Sequence, residues 1–155
     1  LWRQRMAQHF SKILYATDYS KASSRALDEA IALAKQNAAE LLVLHVIDPV
    51  PPYVAGEDIG GAELYMKLEE TTKQDAETSM NKLMEKLRKL KLNAKSLLLR
   101  GTAPEQIVRT AKNRRANLIV IGTHGRTGLS KLLMGSVANK VVSTAHCPVL
   151  SVHGK

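Results

Sequence analysis

The chain has 155 residues, of which 45% are hydrophobic and 24% are charged, and this composition is typical of one globular domain. Its 23 lysines and arginines outnumber 14 acidic residues, and the net charge of +9 favours anionic partners such as nucleotides, nucleic acids or acidic lipid surfaces. The one cysteine, Cys147, excludes an intrachain disulfide, and no apolar run approaches the roughly 20 residues that span a bilayer.

The first ten residues carry two arginines but neither the apolar core nor the cleavage pattern of a signal peptide. We therefore expect a tail at 1–10 and a cytoplasmic domain at 11–153.

Residues 12–16 predict a strand, and the apolar positions that follow Asp18 and Ser20 recur at the spacing of an amphipathic helix. The nearly continuous apolar run 41–47, interrupted only by His45, is typical of a second strand buried on both faces.

A proline- and glycine-rich segment at 48–61 predicts a long loop, and a helix is predicted over 62–90, with Met80 and Met84 in its core-facing stripe. Residues 94–99 predict a third strand, after which Thr102 and Glu105 have the spacing of a helix capping box. Residues 117–121 predict a fourth strand, and 147–152 predict a fifth after one more helix, with Cys147 as a buried thiol.

Strands that alternate with helices predict an α/β fold with a parallel sheet covered on both faces. Ligands of such sheets bind beyond the carboxyl ends of the strands, where the winding direction reverses. No internal repeat and no second domain is indicated. The fifth strand is expected at an edge of the sheet, where unpaired backbone groups favour association with another chain.

The segment 122–137, which joins the fourth strand to the last helix, holds four glycines within fourteen residues. Free backbone N–H groups and the positive end of a helix dipole at such a junction attract phosphate. Arg126 and Lys131 add positive charge, and Ser136 can cap the helix or donate to a phosphate oxygen. The segment lacks the Walker A spacing and the dinucleotide fingerprint, so we do not expect a P-loop NTPase or a Rossmann-type NAD or FAD site.

The spacing Gly122-x2-Gly125-x9-Gly135-Ser136 matches the Gly-x2-Gly-x9-Gly-Ser/Thr signature of the ATP-binding universal stress proteins, which the chain also resembles at 12–18, 44–46 and 116–122. The resemblance implies a doubly wound five-stranded parallel sheet of order 3-2-1-4-5 with two helices on each face. It also implies a homodimer, joined through the C-terminal edge strand. Asn117 departs from the family, in which Asp is common, and we expect its role to be structural.

The resemblance further implies a site for ATP, with Mg2+ carried by the nucleotide. Its expected contacts are Thr17, Asp18 and Val46 for the adenosine. They are Gly122 and Gly125 for the ribose and nearest phosphate, and Gly135, Ser136 and Val137 for the outer phosphates. Independently of the family, Asp18 is also a common residue for a turn or helix cap before Ser20.

These observations favour an ATP-binding stress-response or regulatory protein that acts as a homodimer. The alternative is a slow ATPase or self-phosphorylating enzyme. Rapid hydrolysis is not expected, because the sequence shows no nucleophile elbow, no Cys/His pair and no in-line base. With 4% aromatic residues and no base-reading motif, we expect no nucleic-acid partner, and we expect no membrane partner. No metal site is predicted, and His45 is expected to be a hydrogen-bonded core histidine.

Overall fold

The computed structural model describes residues 9–56, 60–124 and 134–154. Its five strands form one parallel sheet in the order β3-β2-β1-β4-β5, which confirms the predicted fold class and strand order. The strands are β1 (Lys12–Ala16), β2 (Glu40–Ile47), β3 (Ala94–Arg100), β4 (Leu118–Gly122) and β5 (Val149–Val152). The edge position expected for the last strand is also confirmed, because β5 pairs only with β4 among the described strands.

The last strand begins two residues later than the sequence predicts. The carbonyl of Pro148 accepts a hydrogen bond from the N–H of Ile119 at 3.0 Å, but the ladder of paired residues starts at Val149. Cys147 precedes the strand and is only partly buried, so the prediction of a buried thiol is wrong. Partial burial still raises the pKa of this thiol above its ordinary value.

Two helices cover each face of the sheet, as the resemblance implies. The helices are α1 (Lys21–Asn37), α2 (Gly61–Lys89), α3 (Ala103–Asn113) and α4 (Ser136–Thr144), and a short 3-10 helix at Pro52–Ala55 lies in the predicted loop. α1 and α2 pack on one face, and α3 and α4 pack on the other. None of the helices in the described part of the chain is both long and apolar enough to cross a membrane.

The central strands supply both halves of the core. In β1, Ile13 and Tyr15 pack toward α1 and α2, whereas Leu14 and Ala16 pack toward α3 and α4. A strand covered on both faces has no exposed side, and this explains why its sequence is apolar without alternation. The prediction that Met80 and Met84 face the core is confirmed: Met80 is buried, and Met84 packs against the same cluster as a partly buried residue.

The starts of α1 and α3 differ in how they are capped. The side chain of Ser20 accepts a hydrogen bond from the N–H of Ser23 at 3.2 Å and caps α1. Thr102 immediately precedes α3, but its side chain makes no capping hydrogen bond with the described residues, so the predicted capping box is wrong. Pro104, at the second position of α3, has no N–H to donate and a fixed φ that favours the first turn without a side-chain cap.

Asn117 joins the start of the sheet to the segment that precedes it. Its Oδ1 accepts a hydrogen bond from the N–H of Lys12 at 3.1 Å. Its Nδ2 donates to the carbonyl of His9 at 3.4 Å and to the hydroxyl of Ser11 at 3.2 Å. The expectation of a structural role is confirmed, and an ionised aspartate would lack the two donated bonds because it has no N–H group.

Candidate functional site

A cavity of about 550 Å³ opens at the carboxyl ends of β1, β2 and β4. The chain leaves β1 through α1 on one face of the sheet and enters β4 from α3 on the other face. The winding direction therefore reverses between β1 and β4, and ligand sites of doubly wound sheets lie at this point. The volume falls within the range of small-molecule and cofactor sites.

Seven of the eight residues expected at the site line this one cavity, although 120 positions of sequence separate the first from the last. They are Thr17, Asp18, Val46, Gly122, Gly135, Ser136 and Val137. The eighth, Gly125, lies outside the described residues, as do Arg126 and Lys131. Strands of a parallel sheet end at a common edge, so their following turns converge there even when the sequence between them is long.

One wall of the cavity is apolar and belongs to the α3 and α4 side of the sheet. It combines side chains from the ends of two strands with residues of the two helices, namely Leu44, Val46, Ile121, Ala103, Ile107 and Ala138. A wall of this kind binds the face of a flat ring system by removing apolar surface from water.

The turn between β1 and α1 forms a polar part of the cavity and is fixed by its own side chains. Asp18 accepts a hydrogen bond from the N–H of Ser20 at 2.9 Å, so it serves as a turn residue while it also lines the cavity. Tyr19 has φ of 62°, a left-handed conformation that side chains rarely adopt, and its N–H donates to the hydroxyl of Thr17 at 3.0 Å. Strained backbone of this kind is concentrated at ligand sites.

His45 is the hydrogen-bonded core histidine that the sequence predicts. It is buried, and its Nδ1 lies 2.8 Å from the carbonyl oxygen of Thr17. A carbonyl can only accept, so Nδ1 carries the proton in this contact. The histidine ring also packs against the ring of Tyr19 with 4.5 Å between centroids. No sequence pattern indicated this contact, because Tyr19 follows β1 whereas His45 lies in β2.

Buried hydroxyl groups support Thr17 from below the cavity. Tyr15 donates to the carbonyl of Ser23 at 2.7 Å, and the hydroxyl of Ser23 donates to that of Thr17 at 2.7 Å. Burial raises the pKa of the Tyr15 hydroxyl, which keeps it protonated as a donor. Tyr15 and Ser23 have the sequence appearance of an ordinary strand and helix residue, so sequence reasoning missed them.

The two glycines of the site that the structure describes have different local roles. A Cβ on Gly122 would lie 2.9 Å from the carbonyl carbon of Ala22 and 3.0 Å from the nitrogen of Ser23, so β4 ends in direct contact with the first turn of α1. Gly135 has φ of −59°, which any residue adopts, and its N–H donates to the carbonyl of Thr123 at 2.6 Å. Gly122 is therefore required by packing, whereas the backbone conformation of Gly135 does not require glycine.

The first turn of α4 faces the cavity with Ser136, Val137 and Ala138. Ser136 is the first residue of the helix and not its cap, and no side chain among the described residues caps α4 at Gly135. The first N–H groups of a helix have no partner within it and carry the positive end of its dipole. This end of the cavity is thus suited to an anion.

The charged side chains that line the cavity are carboxylates. Asp18, Asp48 and Asp75 line it, but no lysine or arginine does in the part of the chain that the structure describes. Among these residues no group of three or more His, Cys, Asp or Glu side chains could hold a metal ion.

The buried hydroxyl of Thr123 lies 2.9 Å from Nδ1 of His124 and 3.2 Å from Nδ1 of His153. Sequence reasoning missed that both histidines contact this hydroxyl, since His124 follows β4 and His153 follows β5. Of the three residues, Thr123 and His124 line the cavity. The hydroxyl therefore connects the wall of the cavity to the segment that follows β5.

The sheet topology and the position of the cavity define an α/β protein of the doubly wound class with a ligand crevice at its winding reversal. The family model of the Universal stress protein family matches residues 9–153, and the chain belongs to this family.

Individual relatives agree with this assignment. The chain is 36% identical over 143 residues to Universal stress protein MJ0531 of Methanocaldococcus jannaschii, covering 92% of this chain and 82% of that protein. The solved structure of MJ0577 from the same organism superposes with a TM-score of 0.83 at 31% identity, covering 95% of this chain and 98% of that one. A universal stress protein solved in complex with cAMP has a TM-score of 0.60 at 24% identity, covers 94% and 98% of the two chains, and is similar in fold alone.

Proposed function

We propose that this chain binds ATP in the cavity at the carboxyl ends of β1, β2 and β4 and acts as a stress-response or regulatory protein. The observation that carries the proposal is one cavity that combines an apolar wall with the first turn of α4, which no side chain of the described residues caps. A nucleotide needs both features, because its base is flat and largely apolar on its faces whereas its phosphates are anionic. A family member solved with cAMP is a case of an adenine nucleotide bound in this fold.

The charges of the cavity give the nucleotide one orientation. Asp18, Asp48 and Asp75 repel phosphate oxygens, so the adenosine lies toward Thr17, Asp18 and Val46 and the phosphates point toward α4. There, N–H groups of Ser136 and Val137 donate to phosphate oxygens, and the helix dipole adds to the attraction. In this proposal Gly122 and Gly125 border the ribose and nearest phosphate, and Gly135 borders the outer phosphates.

Mg2+ fits this site as an ion that arrives with the nucleotide. Asp18 lines the cavity and accepts the N–H of Ser20, and in this proposal its carboxylate contacts the ion through water. Mg2+ commonly keeps several waters and is held by phosphate oxygens and one or two carboxylates. When bound, it would neutralise part of the phosphate charge.

The first test is a thermal shift. We expect Mg-ATP to raise the melting temperature, because a ligand that binds only the native state stabilises it, by about 2.7 kcal/mol at 100 times Kd. GTP should stabilise less, since the contacts near Val46 are proposed for adenine. Isothermal titration calorimetry at millimolar ATP provides the second measurement. No heat together with no thermal shift would overturn the proposal.

We also propose that the protein forms a homodimer through β5. The strand lies at the edge of the sheet with all four residues, Val149–Val152, partly exposed in the single chain. Its outer backbone groups and apolar side chains favour pairing with a second copy. Light scattering at tens of micromolar protein should give twice the chain mass. A monomeric mass for the unchanged protein would contradict this proposal.

A further inference from the structure

The helix α2 is longer than the sheet on which it packs. Its 29 residues span about 43 Å, whereas the eight residues of β2 span about 26 Å. The buried residues of the helix are Ala76, Met80 and Leu87, all in its C-terminal half. Glu69, more than a turn before Ala76, contacts Arg100 at the end of β3. The first turns of α2 therefore extend beyond the carboxyl edge of the sheet, where the cavity lies.

The turns of α2 that follow Glu69 form a wall of the cavity with one face. Thr72, Asp75, Ala76 and Ser79 line it, and their spacing of three, four and seven residues places them on one side of the helix. α2 packs on the opposite face of the sheet from α3 and α4. The polar row on α2 thus lies across the cavity from the apolar wall.

Two sets of contacts hold this wall in position. The hydroxyl of Tyr19 donates to the carbonyl of Ala76 at 3.3 Å, which ties α2 to the turn after β1. The guanidinium of Arg100 contacts the carboxylate of Glu69 at 3.0 Å and donates to its carbonyl at 3.4 Å, which ties α2 to β3. A binding group on a helix fixed at two points is oriented before the ligand arrives.

The chemistry of the row selects the part of the nucleotide that it contacts. The carboxylate of Asp75 can only accept hydrogen bonds, and the phosphates of a nucleotide offer only acceptors near neutral pH. The donors of ATP are the amino group of its base and the hydroxyls of its ribose. The flat faces of the base match the apolar wall across the cavity. Beside Asp75, Ser79 provides a hydroxyl, and the hydroxyl of Thr72, which donates to the carbonyl of Leu68 at 2.8 Å, can accept from a sugar hydroxyl.

We propose that Asp75, with Thr72 and Ser79, binds the ribose hydroxyls of the nucleotide and makes the site selective for ribonucleotides over deoxyribonucleotides. The proposal rests on the proposed function, since it takes the nucleotide in the cavity as its starting point. When a ribose hydroxyl is missing, the hydrogen bond that it would donate to the carboxylate is lost, and the bound ligand covers that side of the carboxylate without giving it a partner.

The test compares Asp75→Ala with the unchanged protein in calorimetric titrations with ATP, 2′-deoxy-ATP and 3′-deoxy-ATP. The unchanged protein should bind ATP about tenfold more tightly than at least one deoxy analogue. Asp75→Ala should lose about tenfold in ATP affinity and bind ATP and that analogue equally. We expect this variant to be folded, because Asp75 is exposed in the free protein. Circular dichroism and urea unfolding check this.

The matched control is Glu77→Ala. Glu77 lies on the same helix but outside the cavity lining, where it pairs with Lys73. Its replacement by alanine removes the same charge as Asp75→Ala. It should leave all three affinities unchanged. Equal losses for ATP and both analogues in Asp75→Ala, no loss at all, or the same loss in Glu77→Ala would each overturn the ribose proposal while the proposed function stands. Absence of ATP binding by the unchanged protein would instead overturn the proposed function itself.

Discussion

Replacing Gly122 with alanine should destabilise the protein by about 2–3 kcal/mol, the upper part of the usual range for overpacking. The added Cβ would lie 2.9 Å from the carbonyl carbon of Ala22 and 3.0 Å from the nitrogen of Ser23. Both are backbone atoms in the first turn of α1, so no side-chain rotation relieves the contact. Urea unfolding, followed by circular dichroism, measures the change in the free energy of unfolding.

Gly60→Ala is the matched control. Gly60 has φ of −95° and no heavy atom within 4 Å of the Cβ position, so alanine fits there without displacement of a neighbour. We expect a change of less than about 1 kcal/mol, since only the helix cap and the entropy of the unfolded chain are affected. Equal stability of the two variants would show that α1 moves away from β4 without cost and that packing does not require Gly122.

The elements and the α/β class were predictable because the strands and helices have local patterns, whereas the strand order followed from the family resemblance. The apolar run of β2 is continuous because both faces are covered, and the helical stripe of α2 contains Met80 on its buried side. Errors occurred where a local signal competes with another one. At α3 the spacing of Thr102 and Glu105 predicts a capping box, but Pro104 between them already favours the turn.

The site was predictable only in part, for a related physical reason. The residues of the glycine-rich segment could be predicted from the spacing of the signature, because the whole signature lies in one stretch of the chain. Tyr19 and Ala76 are 57 positions apart, and Thr123 and His153 are 30 apart, so their contacts depend on tertiary structure. A polar row on a long helix is typical of a solvent-facing side, and only the packing of α2 beside the carboxyl ends of the strands places Asp75 at a cavity.

Replacing Gly135 with valine should reduce ATP affinity by at least about 100-fold while the fold is retained. Its φ of −59° and ψ of 155° are accessible to valine, and the N–H that donates to Thr123 is kept. The new side chain instead occupies space at the start of α4, where phosphate oxygens must approach the N–H groups of Ser136 and Val137. The loss of two hydrogen bonds to a charged group corresponds to a change of this size.

Arg126→Ala separates backbone geometry from side-chain charge in the same titration. Arg126 lies outside the described residues, and the removal of its single charge is expected to cost about 1 kcal/mol or less, the usual range for one exposed ion pair. Calorimetry gives the two ATP affinities, and circular dichroism shows that both variants are folded. Because valine at position 135 leaves the net charge unchanged, a larger loss for Gly135→Val means that phosphate binding depends on close backbone approach. The reverse ranking would mean that the charge of Arg126 holds the phosphates and that the first turn of α4 does not.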